Sequence, residues 1–246
     1  MYGDMRRCFY PAGPGWVPGP LLIQMYGISS HFPNRATARL ARLGCNGYLY
    51  MLKTGAMINT LSVFCGSSRG TDPAYGQAAR LLGRTLASRG ITLVFGGSKV
   101  GLMEELSEAA LEAGGKVVGV MPRFLHRKGI GHPGLTQMVL VDTMHQRKMR
   151  MSELCDGIIA LPGGFGTLDE CFEMITWAQL GIHHKPIGLL NVQGFYDPLL
   201  SMADRMTEQE FLKPVHRNML IVTPHVEKML ELMEHYAPPS TEKWIR

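Results

Sequence analysis

The sequence predicts an α/β protein: a Rossmann-like, doubly wound parallel sheet of about seven strands with helices on both faces. Three observations predict it. From residue 57 onward, short apolar runs alternate with longer amphipathic segments. Each short run is apolar throughout, not at every second position, which marks a strand covered on both faces. Several of these runs stop at glycine or proline, where strand gives way to helix. Right-handed crossovers then gather all strand C-terminal ends on one edge, and ligands bind there, near the point where strand order reverses.

The elements follow in order. Leu61-Ser62-Val63-Phe64-Cys65 reads as a strand ending in Gly66-Ser67-Ser68. Pro73 suits the first turn of a helix reaching about Arg89, with Ala78, Leu81, Leu82 and Leu86 on its inner face. Ile91 to Phe95 is a second strand, and Gly96-Gly97-Ser98-Lys99-Val100-Gly101 turns into a helix from Leu102 to Ala113, closed by Gly114-Gly115. Lys116 to Met121 is a third strand, stopped by Pro122. Arg123 to Thr136 is long for a connector, a length that often carries function. Met138 to Val141 is a fourth strand, followed by a helix from about Met144 to Leu154. Ile158 to Leu161 is a fifth, followed by a glycine turn and a helix to about Leu180. Pro186 to Asn191 and Leu220 to Val222 complete the strands, with helices near Pro198–Thr207 and Pro224–Tyr236.

Composition bounds the function. The chain has 246 residues, 46% hydrophobic and 18% charged, as expected of a globular protein with one α/β domain. It has no apolar run long enough for a transmembrane helix, so no membrane association is expected. The net charge of +5 suggests nucleic acid, but its distribution argues otherwise. Arg6, Arg7, Arg35, Arg39, Arg42 and Lys53 against Asp4 account for all of it, and the remainder balances. Residues 1–56, rich in proline and glycine near their start, are expected to be a disordered leader or translation assigned upstream of a natural start at Met57. An organelle transit peptide is the lesser alternative. Residues 57–237 form the expected domain and 238–246 a tail. Cys8, Cys45, Cys65, Cys155 and Cys171 show no metal spacing and read as free thiols in a reducing cytoplasm.

The densest chemistry lies in Leu161-Pro162-Gly163-Gly164-Phe165-Gly166-Thr167-Leu168-Asp169-Glu170. A buried strand, three glycines in four positions and a helix start aim backbone N–H groups and a positive helix end at one place. A phosphate is the usual occupant, and glycine lets it approach the backbone. Glu170 admits two readings. Thr167-Leu168-Asp169-Glu170 matches a capping box, with Glu170 bonding back to the cap. Alternatively, its carboxylate acts on a sugar beside the phosphate. Arg147 and Lys148 stand near the start of a helix, against its dipole, facing either an anion or solvent. His145 reads as a surface or packing residue. Gly96 to Gly101 is neither the dinucleotide fingerprint nor a Walker loop, and the next strand ends without a ribose-binding acid, which argues against NAD. His183-His184 lacks a further ligand at metal spacing. Met174 to Leu180 carries more apolar surface than one helix face needs, so either a dimer contact around Trp177 or plain core uses it.

These residues also resemble a known family. Pro162 to Glu170 fits its PGGxGTxxE motif, Met144-His145-Gln146-Arg147-Lys148 its second signature. Cys65-Gly66-Ser67-Ser68, Gly96-Gly97-Ser98 through Gly101-Leu102-Met103, and Thr176-Trp177-Ala178-Gln179-Leu180-Gly181 fit as well. The chain, over roughly residues 57–237, resembles the Lonely Guy family of cytokinin-activating phosphoribohydrolases, long labelled lysine decarboxylases. The resemblance implies hydrolysis of the N-glycosidic bond of nucleoside 5'-monophosphates, AMP or N6-prenylated AMP, to free base and ribose 5-phosphate. It implies no metal and no organic cofactor, and a homodimer with sites near the interface. It makes Arg147 and Glu170 catalytic. It assigns substrate contact to Lys148, Gly163, Gly164, Gly166, Thr167, Asp169 and Thr176; Phe165, Leu168, Gly97, Ser98, Gly101 and Met103, in the same motifs, are expected to join the substrate- and phosphate-binding set. Two positions depart from the family pattern: Asp169 stands where Glu is usual, and Lys128-Gly129-Ile130 offers no acid before His132-Pro133-Gly134.

Three other functions compete. A carrier of nucleotides or phosphorylated cofactors would use the same fold and turn, since fold does not settle activity. A lysine decarboxylase would need a pyridoxal-phosphate lysine in a suitable context. An NAD oxidoreductase would need the missing ribose acid.

Overall fold

A computed structural model of the chain describes residues 57–239. The expectations for residues 1–56, with Cys8 and Cys45, and for the end of the tail lie outside the described residues. Seven strands form one parallel sheet: β1 (Thr60–Phe64), β2 (Thr92–Phe95), β3 (Val117–Pro122), β4 (Gln137–Val141), β5 (Gly157–Ala160), β6 (Ile187–Leu190) and β7 (Leu220–Thr223). The order across the sheet is β4-β3-β2-β1-β5-β6-β7. The helices are α1 (Pro73–Ser88), α2 (Gly101–Glu112), α3 (Arg123–His126), α4 (Met144–Glu153), α5 (Phe165–Gln179), α6 (Asp197–Glu208), α7 (Pro214–Arg217) and α8 (Val226–Glu234). The fold is therefore the doubly wound α/β architecture that unbroken apolar strands require.

Period-two alternation divides the core between the faces of the sheet. Leu61 and Val63 of β1 pack with Leu82, Leu86, Leu106 and Met229 on one face. Phe64 of the same strand packs with Ile158, Met174 and Leu189 on the other. β5 divides likewise, Ile159 toward the first cluster, Ile158 and Ala160 toward the second. Removing such side chains from water contributes about 1.5–3 kcal/mol each, and so fixes strand register.

Strand order reverses between β1 and β5, where Phe64 pairs with Ala160. The turns after these two strands therefore rise side by side at the switch point. Strand limits differ from the sequence reading by about one residue at each end. The connector from Arg123 to Thr136 contains one helical turn, α3, and an antiparallel bridge between Ser98 and Gly131. α3, α7 and a 3-10 turn at Val192–Gly194 were not expected; segments this short show no periodicity. Among the described residues, no helix is long and apolar enough to cross a membrane.

Candidate active site

The turn after β5 is held from the β1 side. Leu161 N–H donates to Phe64 O at 2.9 Å, and Gly66 N–H donates to Pro162 O at 3.0 Å. Leu102 N–H in turn donates to Gly66 O at 3.0 Å, which brings the start of α2 to the same place. Gly101, at φ +59°, lies so close to Ser67 that a side chain there would collide.

α5 begins at Phe165, and its N-cap Gly164 supplies no side-chain hydrogen bond. The first N–H groups of a helix have no acceptor within it, so this end offers donors and a positive dipole to whatever lies in front of it. The three glycines of the turn do different things. A Cβ on Gly163 would strike Thr167 Oγ1 and come within 2.8 Å of Gly66 N, so packing alone requires glycine. A Cβ on Gly164 or Gly166 would meet nothing within 4 Å. Neither has a positive φ. Open space therefore lies beside both glycines. Phe165, 92% exposed, flanks that space.

The capping-box reading of Glu170 is incorrect. Because the helix starts two residues earlier than Thr167, Thr167 is a buried residue of the first turn and Glu170 lies beyond the third helical position. Glu170 is 7% exposed, and Arg147 Nη1 lies 2.9 Å from its Oε1. Arg147 Nε also donates to Val120 O at 3.1 Å, tying α4 to the end of β3. Gly96 makes the room: a side chain there would overlap the Arg147 guanidinium. Burial pushes the Glu170 carboxyl above the usual carboxylate range, while the Arg147 charge pulls it back. Cys65 and Cys171 are buried beside this pair. Burial and the Glu170 charge push the Cys171 thiol up to about 12 and that of Cys65 further, so both stay protonated.

The α4 cations are not opposed to a bare helix end. Thr143 and Gln146 form a capping box: Gln146 N–H donates to Thr143 Oγ1 at 3.1 Å, and Thr143 N–H donates to Gln146 Oε1 at 3.3 Å. Arg147 and Lys148 open the next turn and point at α5, not at solvent. Lys148 Nζ lies 2.8 Å from Glu173 and 3.1 Å from Asp169. Hydrogen bonding to Glu173 first, opposed by burial and aided by Asp169, holds the Lys148 ammonium above its ordinary range. His145 stands exposed, 3.9 Å from Glu173.

Glu173 joins this cluster although sequence reasoning did not single it out, and Gly96 was read only as part of a motif. Glu173 stands one helical turn beyond Glu170, which could have suggested a shared face. The remaining candidates are spread more widely. Leu168 is half-buried against the second core cluster. Thr176 is exposed and donates to Phe172 O at 2.8 Å, about 14 Å along the helix axis from Thr167. Ser98 is buried beside Gly97, whose carbonyl accepts from His132 N–H at 2.9 Å. Met103 packs on the first core cluster. Among the described residues, no three His, Cys, Asp or Glu side chains are placed to hold a metal ion.

Residues 103–233 match a protein family described as "Possible lysine decarboxylase". The chain is 47% identical over 176 residues to a probable cytokinin riboside 5'-monophosphate phosphoribohydrolase, LOGL2, of Oryza sativa subsp. japonica, covering 72% of each chain. It is 43% identical over 188 residues to the cytokinin riboside 5'-monophosphate phosphoribohydrolase LOG2 of Arabidopsis thaliana, covering 76% of this chain and 88% of that one. Among solved structures, it resembles a molybdenum cofactor binding protein from Rippkaea orientalis with a TM-score of 0.56 at 24% identity, over 73% of this chain and 97% of that one. The molybdenum cofactor carrier protein of Chlamydomonas reinhardtii gives a TM-score of 0.52 at 19% identity, over 73% of this chain and 98% of that one. At such identities these likenesses concern the fold alone.

Proposed function

Because the chain belongs to the family of the cytokinin riboside 5'-monophosphate phosphoribohydrolases, the Lonely Guy family, we propose that it hydrolyses the N-glycosidic bond of a nucleoside 5'-monophosphate. AMP and N6-modified cytokinin riboside monophosphates are the substrate class; free base and ribose 5-phosphate are the products. The observation that carries this reading is a buried carboxylate, Glu170, held by Arg147 one turn behind an uncapped helix start with open space before it.

The phosphate sits before α5, on the amides of Gly164 to Thr167, and its binding energy positions the ribose. As the C1'–N bond breaks, positive charge develops on the sugar, and the Glu170 carboxylate stabilises it and orients water. The hydroxyl of that water ends on C1' and its proton on the departing base. The Arg147 charge favours the ionised form of Glu170, opposing the cost of burial. Lys148, within reach of Asp169 and Glu173, adds positive charge on the ligand side of α5.

Thr176 reaches a nucleotide only if the site extends along α5. A homodimer packed on this helix supplies that extension; Phe172, Leu180 and Ile182 are exposed there and Trp177 is half-buried. A reducing compartment such as the cytoplasm suits the free thiols of Cys65, Cys155 and Cys171. Decarboxylase chemistry fits this site poorly. A Schiff-base lysine must lose its proton readily, whereas Lys148 is held charged by two carboxylates.

Incubating the purified protein with a panel of nucleoside monophosphates, and following released bases by chromatography, tests the proposal. Base and ribose 5-phosphate in equal amounts support it. Tight nucleotide binding without base release would favour a carrier instead.

A further inference from the structure

The β5–β6 ladder ends at the pair Ala160–Leu189. Two residues later the chain bends at Pro162, and among the described residues no backbone N–H donates to the Leu161 carbonyl. It accepts instead from the Tyr196 hydroxyl at 2.6 Å. Tyr196 is 1% exposed, and its ring packs in the second core cluster with Phe64 and Cys171. Burial raises the phenol well above its ordinary range, so it stays a donor.

The segment that delivers Tyr196 is closely specified. Asn191 N–H donates to Thr223 O at 2.9 Å, which fixes the segment to β7. The Asn191 side chain accepts from Tyr196 N–H at 2.7 Å and donates to Asp197 at 2.8 Å. Between them Gln193 adopts φ 53°, a left-handed conformation that a non-glycine residue rarely holds without a reason.

We infer that Tyr196 is a positioning residue for the phosphate turn. The inference rests on the function proposed above. Bonds from Leu161 and Gly66 fix the turn on its β1 side; the Tyr196 hydroxyl is its fixture on the β6 side. The three together set the angle at which Pro162 to Gly164 present the α5 amides. Without the hydroxyl, a buried carbonyl lacks its donor and the turn relaxes toward water, carrying the amides away from the phosphate.

Calorimetric titration of the full chain with ribose 5-phosphate, in wild type and in Tyr196→Phe, is the test. Leu230→Val serves as a control, a destabilising core change in the opposite cluster. Tyr196→Phe should weaken ribose 5-phosphate binding about five- to tenfold, and Leu230→Val should leave it unchanged. Asn191→Ala keeps the hydroxyl but loosens its mount, so it should weaken binding in the same direction should Tyr196→Phe fold poorly. Wild-type affinity in Tyr196→Phe, or an equal loss in Leu230→Val, overturns the inference while leaving the hydrolase reading intact. A wild-type protein that neither binds ribose 5-phosphate nor releases base from AMP overturns both.

Discussion

Arg147 Nη1 lies 2.9 Å from Glu170 Oε1, and the two side chains are almost wholly withdrawn from solvent. Burial raises the Glu170 carboxyl, and the Arg147 charge is the largest influence opposing it. A buried pair of this kind is costly to break, because the surviving charge has no compensation; removing one partner costs about 3–5 kcal/mol. Arg147→Met should therefore raise the Glu170 carboxyl further. With the folded value above the unfolded one, stability is lost as pH rises from the ordinary carboxylate range through the folded value. Thermal unfolding of Arg147→Met should show its deficit growing with pH and shrinking near pH 4; a deficit independent of pH would refute the coupling.

Glu170→Gln keeps the shape of the side chain and its contact with Arg147 but removes the charge. Base release from AMP should fall by about a thousandfold or more, while AMP binding, measured by calorimetry, changes little. Near-normal turnover would show that the carboxylate has no part in the reaction.

Gly166 occupies the first turn of α5 with no steric need for glycine. Gly166→Ala should therefore stabilise the fold by about 0.5–1 kcal/mol, as glycine is the poorer helix former. Its new methyl projects into open space, so KM for AMP should rise at the same time. A melting temperature that rises with unchanged KM would place the phosphate elsewhere.

Glu173 holds Lys148 from one side and exposed Asp169 from the other. Glu173→Gln should loosen the ammonium and raise KM about threefold with little change in kcat, because an ion pair that positions a cation acts on binding. Steady-state kinetics that show kcat falling instead would give Glu173 a direct part in the chemistry.

His183 lies far from this chemistry, beside the start of β6. Burial, with Lys185 nearby, lowers its imidazole to about 4. Since the folded value lies below the unfolded one, the unfolded chain takes up the proton first, and stability falls as pH drops from about 6.5 toward 4. His183→Asn should flatten that part of the unfolding profile. An unaltered slope would assign the acid sensitivity to other groups.

The strands, most of the helices and their alternation were legible in the amino-acid order, because burial on both faces forces unbroken apolar runs and their glycine stops. The glycine turn after β5 was legible too, because Gly163, Gly164 and Gly166 are local features of the chain. Even there, local pattern misled at Thr167. A capping box can be written in sequence, but where a helix begins depends on where the preceding strand releases the chain. Only the folded molecule decided that Glu170 faces Arg147, that Gly96 leaves space for the guanidinium, and that Tyr196 reaches Leu161. Those contacts join residues 23, 51 and 35 positions apart. Sequence pattern reports neighbours along one helix or strand, whereas these pairs meet because a parallel sheet brings its strand ends to a single edge.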